Sequence, residues 1–238
     1  MARQGEKAET MQESTHFLSR RAFLHRVGFT TGALLCGAAA AGCGGGGGSE
    51  ASSAPSYSPN LSQFTPNYGS EITLDHWPAL PVRVYFANDI AVTPKDGSPT
   101  RVNSLIQTGF SRWATATGGA VGYQVVTDTA QADITVSVTT IPDPVGLSET
   151  GKTSVRTGAG GVLQLAIIEI YVWPDITNAE LTRGLLATAT HEFGHALGVA
   201  GHSSDPGDVM YILHQPGQDV ALTTRDVNTV KTLYYSLF

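Results

Sequence analysis

Apolar and polar positions change rhythm several times along this chain, and each change marks an element. Val82-Arg83-Val84-Tyr85-Phe86 alternates, which predicts a strand, because side chains on extended backbone point to opposite faces in turn. Val102, Leu105, Ile106, Phe110 and Trp113 recur at helical spacing. Ser98 reads as the N-cap of that helix, Pro99 as its first residue and Gly118-Gly119 as its stop. Alternation returns over Val121 to Thr127 and Ala132 to Thr139, where Ile134, Val136 and Val138 would face a core. Ile141 to Gly161 is rich in Gly, Pro, Ser and Thr and carries a short edge strand near Thr153 to Arg156. Leu163 to Val172 is dense in β-branched residues and reads as another strand. Leu181, Leu185, Ala189, Phe193 and Leu197 then repeat every four residues, behind a capping box of Thr177 and Glu180. A last helix opens near Thr223, boxed by Asp226 and packed by Val227, Val230, Leu233 and Tyr234. Strands, one early helix and two closing helices predict an α+β domain: a twisted, mixed five-stranded sheet with three helices.

The front of the chain is different. Ser19-Arg20-Arg21-Ala22-Phe23-Leu24 precedes an apolar, small-residue run from Val27 to Ala41, too short to cross a bilayer comfortably. Paired arginines before such a run read as a twin-arginine export signal. The run ends in Ala40-Ala41-Gly42-Cys43, which is similar to a bacterial lipoprotein processing site; an ordinary small-residue cleavage site is the other reading. Gly44 to Gly48 and a Ser/Pro/Asn-rich stretch follow, of the kind that buries little. The expected organisation is a signal peptide over 1–42, a flexible tether over 43–75 and a folded domain over 76–238. The protein would be exported to the cell envelope, either anchored to the membrane by a lipid on Cys43 or secreted.

Composition narrows the chemistry. Cys36 and Cys43 are the two cysteines of the chain, so a domain over 76–238 has no disulfide, no thiol nucleophile and no thiolate metal ligand. From Cys43 onward nine Lys and Arg stand against seventeen Asp and Glu. No basic patch results, and nucleic acid is not an expected partner. About 160 residues suffice for one core, and a monomer is expected.

The chemistry lies in His191 to Tyr211, HEFGHALGVAGHSSDPGDVMY. His191 and His195 share one helix face and can point two imidazoles at one metal. Glu192 stands beside them, able to serve a metal-bound water without being a ligand. Gly198 can take a left-handed conformation and turn the chain back, so that a third ligand closes a site with one open position. His202 is the assigned third ligand; Asp205 is its rival, since a carboxylate oxygen also binds zinc. Zinc is the expected ion. Calcium on a loop such as Asp205 to Asp208 is not decided by sequence.

This stretch resembles the metzincin zinc endopeptidases, and within them the matrixins. HEFGHALG and His202-Ser203-Ser204 look like the matrixin helix and turn, and Val209-Met210-Tyr211 like its Met-turn. The family leaves two residues between the glycine and the third histidine; here Val199, Ala200 and Gly201 make three, and Gly201 could absorb the extra one. The resemblance implies a metzincin-like fold, a catalytic zinc on His191, His195 and His202, Glu192 as general base and Met210 as an apolar floor beneath the metal. It also implies protein or peptide substrates that pair by strand addition along an edge strand, and a wall of the main specificity pocket near His214. A non-catalytic envelope lipoprotein using this fold as a binding module is the alternative, and a cell-wall exopeptidase or amidase a third reading. Glu192 argues against the binding module, because a pure binding site has no use for a base.

Overall fold

The computed structural model describes residues 12–14, 63–141, 150–212, 214 and 217–238. Five strands of the C-terminal part form one sheet: β1 (Val82–Phe86), β2 (Tyr123–Val126), β3 (Ile134–Thr140), β4 (Gly151–Thr157) and β5 (Leu163–Val172). Their spatial order is β2-β1-β3-β5-β4. The pairs β1–β2, β1–β3 and β3–β5 are parallel, and β4 closes the sheet antiparallel to β5. The expected mixed five-stranded sheet is therefore present, and Gln12–Ser14 adds a short antiparallel strand on the outer side of β4. That short strand falls within the stretch expected to be a signal peptide.

Helix α1 (Asn103–Ala116) is the crossover between parallel β1 and β2, and α2 (Asn178–Ala196) packs beside it. Phe110 of α1 stacks on Phe193 of α2, ring centroids 4.3 Å apart and 11° from coplanar. Gly109 permits this approach, since a Cβ there would lie 2.7 Å from Ala189 Cβ. The apolar faces of both helices and of β1, β3 and β5 enclose one core, in which Val84, Ile106, Phe110, Trp113, Ile168 and Phe193 are fully buried. Helix α3 (Thr224–Leu233) adds Val230 and Leu233 to that core.

Two expectations change. Helix α1 begins at Asn103, not at Ser98-Pro99. Thr100–Arg101 instead pairs with Ala91–Val92, and Asp89 holds the start of the helix by accepting from Arg101 Nη1 (3.2 Å) and the Asn103 backbone N–H (3.4 Å). The packed domain also begins before residue 76. Tyr68 is 2% exposed, donates its hydroxyl to Asp226 and its backbone N–H to Thr229 Oγ1. Thr73–Leu74 pairs antiparallel with Val199–Ala200. Among the described residues no helix is long and apolar enough to cross a membrane. Arg20, Arg21 and Cys43 lie outside the described residues.

Candidate metal centre

Helix α2 starts with a complete capping box. Thr177 Oγ1 accepts from Glu180 N (3.2 Å), and Glu180 Oε2 accepts from Thr177 N (2.8 Å). Backbone hydrogen bonding from Thr177 holds the Glu180 carboxyl below its ordinary range. The other end is different in kind. It carries His191, Glu192 and His195 on its last two turns and stops at Ala196. Gly198 follows at φ +110°, with the Asp75 carbonyl so close that no Cβ would fit. Trp77 Nε1 donates to Ala196 O (2.7 Å) and the Tyr234 hydroxyl to Leu197 O (2.6 Å), so carbonyls left without partners at the helix end are satisfied from distant segments.

Beyond the turn, Val199–Ala200 lies in the ribbon with Thr73–Leu74, and Gly201 at φ +89° redirects the chain. This places His202 against the helix. The three imidazoles come together, with one ligand atom from each within 4.8 Å of the others. Ring centroids of His202 lie 5.1 Å from His191 and 5.0 Å from His195. The extra residue of the loop is thus taken up by the ribbon and Gly201. Asp205 is exposed, and its Oδ1 accepts from Gly207 N (2.9 Å) within its own turn, outside the histidine group. Asp208 is 2% exposed and ion-paired with Arg225 (2.7 Å), its other oxygen taking the Thr223 hydroxyl.

Hydrogen bonds fix the tautomers. His191 Nδ1 lies 2.7 Å from Val209 O and His195 Nδ1 2.7 Å from Val199 O. A carbonyl only accepts, so both Nδ1 atoms carry the proton and both Nε2 atoms present lone pairs. Those two Nε2 atoms face each other at 3.1 Å. Two lone pairs so placed repel unless a cation stands between them. The span fits an ion with ligand bonds of about 2.0–2.1 Å, the Zn–N length. The donor set therefore suits a three-imidazole zinc site.

Met210 is fully buried under this site, its Sδ against Gly194, where any side chain would collide. Asp226 holds the turn from below. Its carboxylate accepts from Val209 N (3.1 Å), Met210 N (3.5 Å), Thr223 N (2.7 Å) and Tyr68. Burial raises the Asp226 carboxyl above its usual range, and the hydrogen bonds from Tyr68, Thr223 and Val209 pull it back. Burial and the neighbouring Asp226 push the Tyr68 hydroxyl far upward, so it stays protonated as a donor. Ser203 N donates to Met210 O (2.8 Å), tying the His202 loop to the same turn.

Glu192 is 5% exposed and leans on β4. Thr153 Oγ1 donates to its Oε2 at 2.6 Å. A Cβ on Gly151 would lie 2.7 Å from Glu192 Cγ, so glycine at this strand position makes room for the carboxylate. Sequence reasoning missed Thr153, Gly151, Asp226 and Tyr68. Each acts through a contact across 16 or more residues of sequence, which no local pattern announces. His214 reaches Val209 O from the other side at 2.9 Å, and His76 lies in a parallel bridge to Val162 at the domain entrance.

The matrixin family model matches residues 85–235, and the chain belongs to the matrixins. It is 44% identical to mouse matrilysin over 64 residues, covering 26% of this chain and 23% of that protein. It is 31% identical to metalloendoproteinase 1-MMP of Arabidopsis thaliana over 140 residues, 56% of this chain and 38% of that protein. Against human neutrophil collagenase it is 38% identical over 60 residues, 24% of this chain and 13% of that protein. The chain thus spans well under half the length of these relatives.

Proposed function

We propose that this matrixin is a zinc-dependent endopeptidase, with the ion held by His191, His195 and His202 and with Glu192 as general base. The observation that carries this reading is the pair of Nε2 lone pairs facing each other at 3.1 Å beside a buried glutamate. When bound, zinc lowers the pKa of a coordinated water towards neutrality and polarises the scissile carbonyl. Glu192 takes the proton of the attacking water at a carboxylate oxygen and delivers it to the departing amine nitrogen. The Thr153 hydroxyl at Oε2 holds that carboxylate in one rotamer against β4. Val209 and Val199 carbonyls keep the imidazoles turned inward. Met210 closes the floor against Gly194 and excludes water from beneath.

The outer edge of β4 suits substrates that bind as an added strand, as its pairing with Gln12–Ser14 illustrates. Export through residues 1–42 and a lipid on Cys43 would place the domain at the cell envelope, acting on proteins there. Mass spectrometry of the mature N-terminus separates lipidated from secreted material. Replacing Glu192 by Gln should retain zinc and folding while cleavage of a fluorogenic peptide falls by about 10²–10⁴-fold. A variant that cleaves at the parent rate removes Glu192 from the mechanism. Zinc binding without cleavage of any peptide by the parent would favour the binding-module reading.

A further inference from the structure

A small open cavity borders His195. It is lined by Thr153 and Val155 of β4, by His195, by Val199 and Ala200 and by Asp75. Asp75 is the acidic group of that lining, and no step of the proposed hydrolysis uses it. Its position is fixed by backbone: Asp75 N donates to Gly198 O and His76 N to Gly161 O, both at 2.9 Å. The Thr157 hydroxyl lies 3.4 Å from Asp75 Oδ2. The side chain is half-buried. Burial raises its carboxyl above the ordinary range, against the opposing pull of Thr157 and His76. The fold thus holds a partly desolvated aspartate in a lining shared with His195 and with β4.

The edge strand supplies direction and register. Gln12 lies opposite Val155 and Ser14 opposite Thr153, antiparallel. Gly151, further along β4, abuts Glu192. A peptide that takes the place of Gln12–Ser14 in the same sense enters at the Thr157 end and passes Val155, then Thr153, before reaching Glu192. Residues opposite Thr153 and Val155 therefore precede the bond at Glu192 by about two and four positions. Alternate side chains of such a strand face the domain, where the cavity opens.

The geometry points to Asp75 as a specificity-determining residue that selects a lysine or arginine side chain about two to four residues before the cleaved bond. This rests on the endopeptidase reading. A long cationic side chain can lay its methylenes along the mostly apolar lining of Val155, Val199 and Ala200, with its charge towards Asp75. The ion pair restores stabilisation that burial removed from Asp75, and an acidic substrate residue meets a like charge instead.

The test uses the zinc-loaded full chain and peptides that differ only by Lys, Arg, Gln or Glu at those positions. The parent should cleave Lys and Arg peptides with about tenfold higher kcat/KM than Gln, equivalent to ~1.4 kcal/mol, and Glu peptides more slowly still. In Asp75→Asn the Lys-to-Gln ratio should fall close to one, with zinc content and melting temperature as in the parent. Asp75→Lys should invert the order in favour of Glu. Asp175→Asn, at an exposed surface carboxylate, should leave every ratio unchanged and so exclude an effect of overall charge. A parent without basic preference, or one whose preference survives in Asp75→Asn, overturns the assignment of Asp75 and leaves the peptidase intact. Failure of the parent to cleave any peptide overturns the assignment together with the peptidase reading.

Discussion

The two ends of α2 are held by opposite means. The N-terminal end is secured within four residues of sequence, by Thr177 and Glu180. The C-terminal end, which carries the histidines, is secured mainly from other segments, by Trp77, Tyr234 and Val209, with Val199 just past the turn holding His195. A local cap stabilises a helix wherever the helix lies. Long-range hydrogen bonds do something else: they set where two Nε2 atoms point relative to a third imidazole, which is what a metal needs. One end of the helix therefore contributes stability, and the other contributes geometry.

Changes at the ligand end should separate metal binding from stability. His202→Ala is expected to weaken zinc affinity by more than about a hundredfold, beyond the range of support residues. Asp205→Ala should leave affinity unchanged. Metal-buffer titration checks both, and the opposite ranking moves the third ligand to Asp205. Next in size is Asp226→Ala. It removes the acceptor of Val209 and Met210 backbone N–H groups, and should cost on the order of 3 kcal/mol in denaturant unfolding. Because Val209 O orients His191, zinc affinity should fall by about 10–100-fold as well. Thr153→Val keeps the shape of the side chain and deletes the hydrogen bond to Glu192. About a tenfold drop in kcat with KM and zinc content unchanged is expected, equivalent to ~1.4 kcal/mol.

The cap end should behave the other way. Thr177→Ala should cost about 1 kcal/mol of stability and leave zinc affinity where it was. Its pH dependence has a definite sign. Glu180 has a folded-state pKa below its ordinary 4.5, so its contribution is fully present above that value. The contribution disappears as pH falls through the lower, folded-state value. Thermal melts between pH 6 and pH 3 should show a shallower decline for Glu180→Gln than for the parent; identical slopes would remove the carboxylate from the cap.

The same contrast explains how much could be read in advance. Helix α2 was legible down to its capping box, because Thr177, Glu180 and the four-residue apolar repeat are neighbours. That His191, Glu192 and His195 share the end of one helix is legible for the same reason. Strand β5 matches its expected span, Leu163 to Val172, because β-branched density is a local property. Ser98-Pro99 misled because the competing partners, Ala91–Val92 and Asp89, lie in a ribbon that local pattern cannot announce. Tyr68 reads as part of a tether because its neighbours are polar and small; its partners Asp226 and Thr229 are far along the chain. Thr153 was expected on a short edge strand, but its hydrogen bond to Glu192 depends on how β4 lies across α2.

The most direct measurement is a zinc titration of metal-stripped, folded protein, followed by both metal content and peptide cleavage. One zinc per chain should bind, and cleavage should appear in proportion to it and vanish with a chelator. A folded chain that takes up no stoichiometric metal, or that cleaves equally well without it, contradicts the account.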